Sequence, residues 1–279
     1  VILRPIRDLV VAHRRLVTPR HRQLGFFLPM PFPNPTYKID AADFDGTNDY
    51  MRRVGGLTGA ADSKSGIFSV WVRFDSIPAL GRIFCGNTTL GGGSATNQVR
   101  SAITGSGGAV QFLAADAGGT VATLQLPSAT TFTAGATWHH LLWAWDVAVP
   151  MRQFYLDGVS DISGEASTNT TLDFTSADWG IAANCDGSSK SSICLADLYF
   201  APGQVLDISV AANLRKFISA TGKPVNVGAD GSVPTGTAPI VFLHLDKGAA
   251  ASAFATNRGT GGDFTITGSL DIASTSPSD

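Results

Sequence analysis

The chemistry open to this chain rests on its aspartates, five histidines and three cysteines. Asp43, Asp45 and Asp49 crowd the stretch ADFDGTNDYMRR (Ala42–Arg53) in the manner of a calcium loop. A helix-loop-helix calcium site places oxygen ligands at alternate loop positions and a bidentate glutamate at the twelfth. Thr47 is a weak ligand here, and Val54 stands where the glutamate should be. Read as a strand, the same residues alternate, with Phe44 to one side and Asp43 and Asp45 to the other, and this is the favoured reading.

Sugar binding without catalysis needs an aromatic ring for stacking and amide or carboxylate groups for the hydroxyls, commonly on rim loops. Trp179, Asn184 and Asp186 in DWGIAANCDG fit that requirement best, with Asp116 of AADAGG as a neighbour candidate. The competing reading of Trp179, at a strand start, is a core residue. No metal or other cofactor is expected. Calcium held through Asp116, Asp186 or Asp43 is the one alternative. His139 and His140 follow each other on one strand and so face opposite sides, one of them expected to bond the backbone at a sheet edge. His244 in FLHLD reads as a satisfied core or rim histidine. No G-x-S-x-G elbow or phosphate-cradling loop is present, and LGGGSAT lacks the lysine that would hold a phosphate. Cys185 and Cys194 flank DGSSKSSI, a hairpin signal, and either close a disulfide or remain buried thiols. Cys85 is left over, and no cysteine spacing suits zinc.

Positioning such residues requires many short strands. Charged residues are only 15% of the chain, glycine numbers 31, and Glu165 is the sole glutamate, a composition that favours strands and turns over solvated helices. GIFSVWVRFD places Phe68, Val70, Val72 and Phe74 on one face and Ser69, Trp71 and Arg73 on the other. RIFCG, NQVRSAI, AVQFLAA and TVATLQL continue the theme between glycine-rich turns. TWHHLLWAWD and MRQFYLDGV read as paired strands, with Asp157-Gly158 a tight-turn signal. One helix is expected in DISVAANLRKFISATGKP, capped by Ser209, burying Val210, Leu214, Phe217 and Ile218, ended by Gly222 and covering an edge or end of the sandwich. This cadence predicts an all-β sandwich or jelly roll.

Residues 1–40 differ from the rest. Arg4, Arg7, Arg14, Arg15, Arg20, Arg22 and Lys38 against Asp8 and Asp40 give +5, leaving −7 for residues 41–279. Four prolines in PMPFPNP forbid helix or sheet interior and make a stiff spacer. The expected organisation is therefore a basic, proline-rich anchoring arm over 1–40 and one jelly-roll domain over 41–279. Phe26, Phe27 and Phe32 supply apolar anchors that a phosphate-binding tail would not need, which favours a protein partner over nucleic acid. No apolar run approaches the 18 residues of a membrane span, and the order of a secretory signal is missing, so membrane insertion is not expected.

FDGTNDYM, FSVWVRF, WHHLLWAWD with RQFYLDGV, and LADLYFAPGQVLDIS occur in the order known from the concanavalin A-like, laminin-G-type jelly roll, which the chain resembles over about residues 41–270. The resemblance implies a concanavalin A-like sandwich with one short helix and an extended N-terminal arm. Glucanases of that family carry a Glu-x-Asp-x-x-Glu strand, which this sequence lacks, and this argues against an enzyme. ISVAANLRKFISATGKPVNVGADGSVPTGTAPIVFLHLD and NRGTGGDFTITGSL are similar to a subgroup in virion structural proteins of tailed bacteriophages. That narrower likeness implies a homo-oligomeric or multi-copy, non-enzymatic component on the particle exterior, either capsid decoration or tail and baseplate. It would be anchored on other virion proteins by its arm and possess a face for host-surface polysaccharide. A secreted or cell-surface lectin is the alternative, and a glycoside hydrolase comes third.

Overall fold

The computed structural model describes residues 37–87, 99–104, 108–116 and 122–279. The arginines and phenylalanines assigned to anchoring, Arg4 to Phe32, lie outside the described residues. Among the described residues, sixteen strands follow one another. They are β1 (Ala42–Asp45), β2 (Tyr50–Val54), β3 (Ser65–Phe74), β4 (Leu80–Asn87), β5 (Val99–Thr104), β6 (Ala109–Ala115), β7 (Ala122–Thr131) and β8 (His139–Asp146). Then come β9 (Met151–Leu156), β10 (Val159–Ser160), β11 (Ala166–Ser167), β12 (Asp178–Ile181), β13 (Ser192–Pro202), β14 (Val241–Leu243), β15 (Thr265–Thr267) and β16 (Asp271–Ile272).

The strands form two antiparallel sheets. The first runs β10-β9-β8-β3-β13-β1-β16, with β14 also paired to β13, and the second runs β11-β7-β6-β5-β4-β12-β2-β15. Runs of consecutive strands, β8 to β10 and β4 to β7, are joined by pairings between strands distant in sequence, as in a jelly roll: β1 pairs Phe44 with Ile193, and β12 inserts between β2 and β4. The strand reading of Ala42–Arg53 holds. Asp45 ends β1, and its Oδ1 accepts the backbone N–H groups of Thr47, Asn48 and Asp49 at 2.7, 3.1 and 3.2 Å. At the β9–β10 turn, Asp157 (φ 51°) and Gly158 (φ 82°) take the left-handed conformation that a two-residue hairpin turn requires.

The alternation along β3 sorts its side chains as the sequence predicts. Phe68, Val70, Val72 and Phe74 enter the layer between the sheets, where Phe68 lies 5.4 Å from Phe84 and 5.6 Å from Phe112, ring centre to ring centre. The opposite face of the first sheet is also dry. Ile67, Trp71, Leu142 and Tyr199 pack beneath Ile208, Leu214, Phe217, Ile218 and Val227, so every residue of β3 is buried. The expected helix contributes to this cover over the outer face, not over an edge. It is shorter than predicted, α1 spanning Ala211–Leu214 with Val210 as its N-cap. Ser209 does not cap it because its hydroxyl donates to Asp207, which also takes the Ser209 N–H and fixes a turn before the helix starts. Val210 is consequently exposed, whereas Leu214, Phe217 and Ile218 are buried.

Residues 37–40, counted with the arm by composition, pack in the sandwich. Ile39 is fully buried and bridges Asp246, and Asp40 accepts from Lys247 Nζ and Gly248 N, each at 2.7 Å.

Candidate functional site

The four residues proposed for sugar recognition separate. Trp179 is fully buried on β12, its ring 5.1 Å from Phe84 and 5.7 Å from Phe200, and its Nε1 donates to Ser176 O at 2.9 Å. It is a core residue and offers no face to a sugar. Its place in the alternation of β12 turns the ring toward the first sheet, where Phe200 of β13 meets it, and neighbouring strands on both sides leave it no open edge. Asn184 is buried in the loop that joins β12 to β13, where its Oδ1 accepts Arg82 Nε at 2.7 Å and its Nδ2 donates to Ser188 Oγ at 2.8 Å. Its amide is thus committed to holding that loop on β4. Asp186 is exposed at the loop tip, and the hydroxyl and N–H of Ser188 hold its carboxyl below the usual carboxylate range. Asp116 follows β6 and bridges Leu172. The ladder places it beyond Ala114, level with Val99 and thus with Gly86 and Trp179, at the end of the second sheet opposite the Asn184 loop.

Among the described residues, Asp43, Asp116 and Asp186 do not converge on one metal position. The ligand group that does form joins Asp43, Asp75 and Cys194, within 4.8 Å of one another. The Asp75 carboxylate already accepts Arg73 Nε at 2.8 Å and the Cys194 thiol at 3.2 Å.

His139, His140 and His244 sit in structural networks. His140 Nε2 lies 2.9 Å from Ser69 Oγ, and burial pushes its pKa down to about 3, so the ring is neutral at ordinary pH. Ser69 and His140 are 3% and 1% exposed, which denies the pair a substrate. His139 Nδ1 is 2.8 Å from the Asp157 carboxylate, so both rings bond side chains and not the expected backbone. His244 lies between Asp197 (Nδ1–Oδ1 2.6 Å) and Asp246 (Nε2–Oδ1 3.1 Å), with Tyr37 Oη 3.2 Å from Nδ1 and Arg258 bonded to Asp246. Burial opposes its charge, but the hydrogen bond and charge of Asp197, with Asp246, outweigh that and raise its pKa above the ordinary value. Glu165 is exposed between β10 and β11.

An open groove occurs where sequence reading did not point. It encloses about 340 Å³ and is lined by Trp71, Ala136, Trp138, Gly222 and Lys223 together with Thr275, Ser276, Pro277 and Asp279 near the end of the chain. Trp138, just before β8, is half-buried, its Nε1 donating to Thr275 Oγ1 at 3.1 Å, with the Arg73 guanidinium 5.8 Å over the ring. Lys223 Nζ donates to the Asp279 carbonyl oxygen, and the Ser276 N–H holds the Asp279 carboxylate at 2.7 Å, depressing its pKa. A partly open indole beside an ammonium, a carboxylate and hydroxyls is the combination that sugar recognition needs. The signal was present in TWHHLL, because alternation from the inward Leu141 turns Trp138 and His140 to the outer face.

These features define a lectin-type β-sandwich. Residues 45–200 match the family described as the Concanavalin A-like lectin/glucanases superfamily, more than half of the chain, and the chain belongs to that family. Among solved structures, a candidate carbohydrate-binding protein from Bacteroides ovatus is 12% identical over 85% of this chain and 60% of its own, with a TM-score of 0.53. The chain therefore spans less than two thirds of that protein. Domains LG4-5 of the mouse laminin α1 chain are 15% identical over 63% of this chain and 45% of theirs, with a TM-score of 0.41. The CBM40 of a Ruminococcus gnavus sialidase, solved with α2,6-sialyllactose, is 10% identical over 56% and 89%, with a TM-score of 0.40. A search of curated protein sequences gives no match.

Proposed function

We propose that the chain is a non-enzymatic glycan-binding module and that its ligand occupies the Trp138 groove. The observation that carries this reading is the half-buried indole opening onto a groove whose rim holds Lys223, Thr275 and Asp279. Membership of a family named for lectins and glucanases supports sugar as the ligand class. The carbohydrate binding named for the Bacteroides ovatus protein agrees with it. Binding outweighs hydrolysis because the sole glutamate stands exposed in the connection between β10 and β11, off any strand that could set it beside a second acid on one face. A glycan array followed by titration of the hits tests this. Trp138→Ala should weaken binding at least tenfold while leaving the fold intact. Undiminished affinity in that variant, or an array without hits, would sink the proposal.

A second reading adds where the module works: as a multi-copy virion component that presents the groove to host-surface polysaccharide. It is motivated by the charge split, +5 over residues 1–40 against −7 beyond, and by Phe26, Phe27 and Phe32 beside the proline spacer. Removal of residues 1–35 should abolish incorporation into particles and leave glycan binding unchanged. Normal incorporation of the truncated chain would count against this reading alone.

A further inference from the structure

The three cysteines are all thiols, and the two that meet are not the two that lie close in sequence. Cys194 donates to Asp75 on the first sheet, whereas Cys185 reaches Cys85, 100 residues away, with the two Sγ atoms 3.9 Å apart. Cys85 lies on β4 opposite Gly180 of β12, and the loop 182–191 folds back over this pair of strands. Gly180 makes room for that approach, since a Cβ there would stand 2.6 Å from Ala183 O and 3.0 Å from Cys185 N. Both sulfurs are sealed under the loop, Cys85 being 1% and Cys185 0% exposed. Beside them is Arg82, 2% exposed, whose Nε is taken by Asn184 and whose Nη1 finds no hydrogen-bond partner among the described residues. A buried guanidinium with an unused donor next to two thiols is an environment that accepts a thiolate.

We propose that Cys85 and Cys185 are a redox-active dithiol that closes into a disulfide by exchange with a small-molecule disulfide such as oxidised glutathione, fastening the 182–191 loop to β4. The Cys85 thiol is set to start the exchange. Its hydrogen bond with Cys185 and the charge of Arg82 hold it below the usual thiol range against the effect of burial. In the first step the Cys85 thiolate attacks one sulfur of the small disulfide, forming a mixed disulfide and expelling one glutathione thiolate. Cys185, having lost its proton to solvent or to the departing thiolate, then attacks the Cys85 sulfur and expels the second glutathione. The protein dithiol loses two electrons and two protons, and the small disulfide is reduced to two thiols. Cys194 takes no part, because burial and the nearby charges of Asp43 and Asp75 push its thiol up. Since both sulfurs are covered, the exchange requires the loop to lift and should be slow in the native protein.

The test is incubation of the full chain over a series of oxidised-to-reduced glutathione ratios, followed by unfolding, alkylation and peptide mapping. Expected is a Cys85–Cys185 cross-linked peptide pair with the loss of two hydrogens in intact mass, Cys194 being the single alkylated site. The urea midpoint of the oxidised form should be higher. Cys194→Ser should leave the cross-link unchanged, and Cys185→Ser should stop at the glutathione adduct on Cys85. The proposal is overturned by alkylation of all three cysteines after the most oxidising incubation, by a Cys185–Cys194 link, or by a wild-type product that ends as a mixed disulfide. The decisive map is made on the wild-type chain, so its outcome does not depend on whether either variant folds.

Discussion

Replacing Trp179 by alanine separates its two readings, sugar platform and core residue, by the size of a single number. The side chain is fully buried, packed at a tilt against Phe84 and Phe200, and satisfies the carbonyl of Ser176. Truncating a buried tryptophan removes its transfer free energy and leaves a cavity, costing about 3–5 kcal/mol. For a domain of this size, about 2–4 °C of melting temperature is lost per kcal/mol, so the midpoint should fall by about 6–20 °C. Trp179→Phe keeps much of the volume and strands the Ser176 carbonyl, for a loss of about 1–3 kcal/mol. An exposed platform would behave differently, since surface substitutions stay within about 0.5 kcal/mol. Thermal and urea unfolding of the wild type and both variants decide the matter. Unchanged midpoints in Trp179→Ala, with glycan affinity lost, would refute the core assignment and the reasoning that moved the site to Trp138.

His244→Asn should destabilise most in mild acid. The folded-state pKa of His244 is raised, so its contribution is fully present below the unfolded value of about 6.5 and is lost as pH rises through the folded one. His140, lowered to about 3, acts in the opposite direction and loses stability as pH falls below about 6.5. The informative quantity is therefore the wild-type minus variant difference in unfolding free energy from urea titrations. It should be larger at acid than at alkaline pH, and a pH-independent difference would contradict the Asp197–His244–Asp246 assignment. Gly180→Ala should cost about 1–3 kcal/mol of overpacking, because the new Cβ meets the backbone of residues 183–185; an unaltered urea midpoint would mean that the loop does not lie on β12. Asp45→Ala should cost about 1 kcal/mol at neutral pH by removing the acceptor of three N–H groups. The depressed carboxyl pKa makes that loss shrink as acid protonates it, and a loss that persists in acid would argue against the turn-capping role.

The fold was legible wherever alternation reports a face. The β3 pattern of Phe68, Val70, Val72 and Phe74, the Asp157-Gly158 turn and the strand at Phe44 are local signals that tertiary contacts did not override. The second dry layer was not legible in β3, because the Trp71 face alternates as an exposed face does, and its cover comes from residues 206–227 far along the chain. Pairing was hidden for the same reason. Trp179 reads as a rim platform or a core residue until β12 is known to lie between β2 and β4, and Cys185 and Cys194 read as a disulfide or as separate thiols until the loop folds back on Cys85. Asn184 reads as an amide for sugar hydroxyls, but Arg82, 102 positions earlier, takes its carbonyl oxygen. Trp138 was within reach, since only its phase relative to Leu141 had to be followed outward.

The most direct measurement follows the five indole N–H resonances, of Trp71, Trp138, Trp143, Trp145 and Trp179, by NMR while a glycan found on the array is titrated in. The groove assignment predicts a saturable shift of the Trp138 signal, weaker at Trp71 and absent from the three indoles between the sheets. Binding that leaves Trp138 unmoved would contradict it.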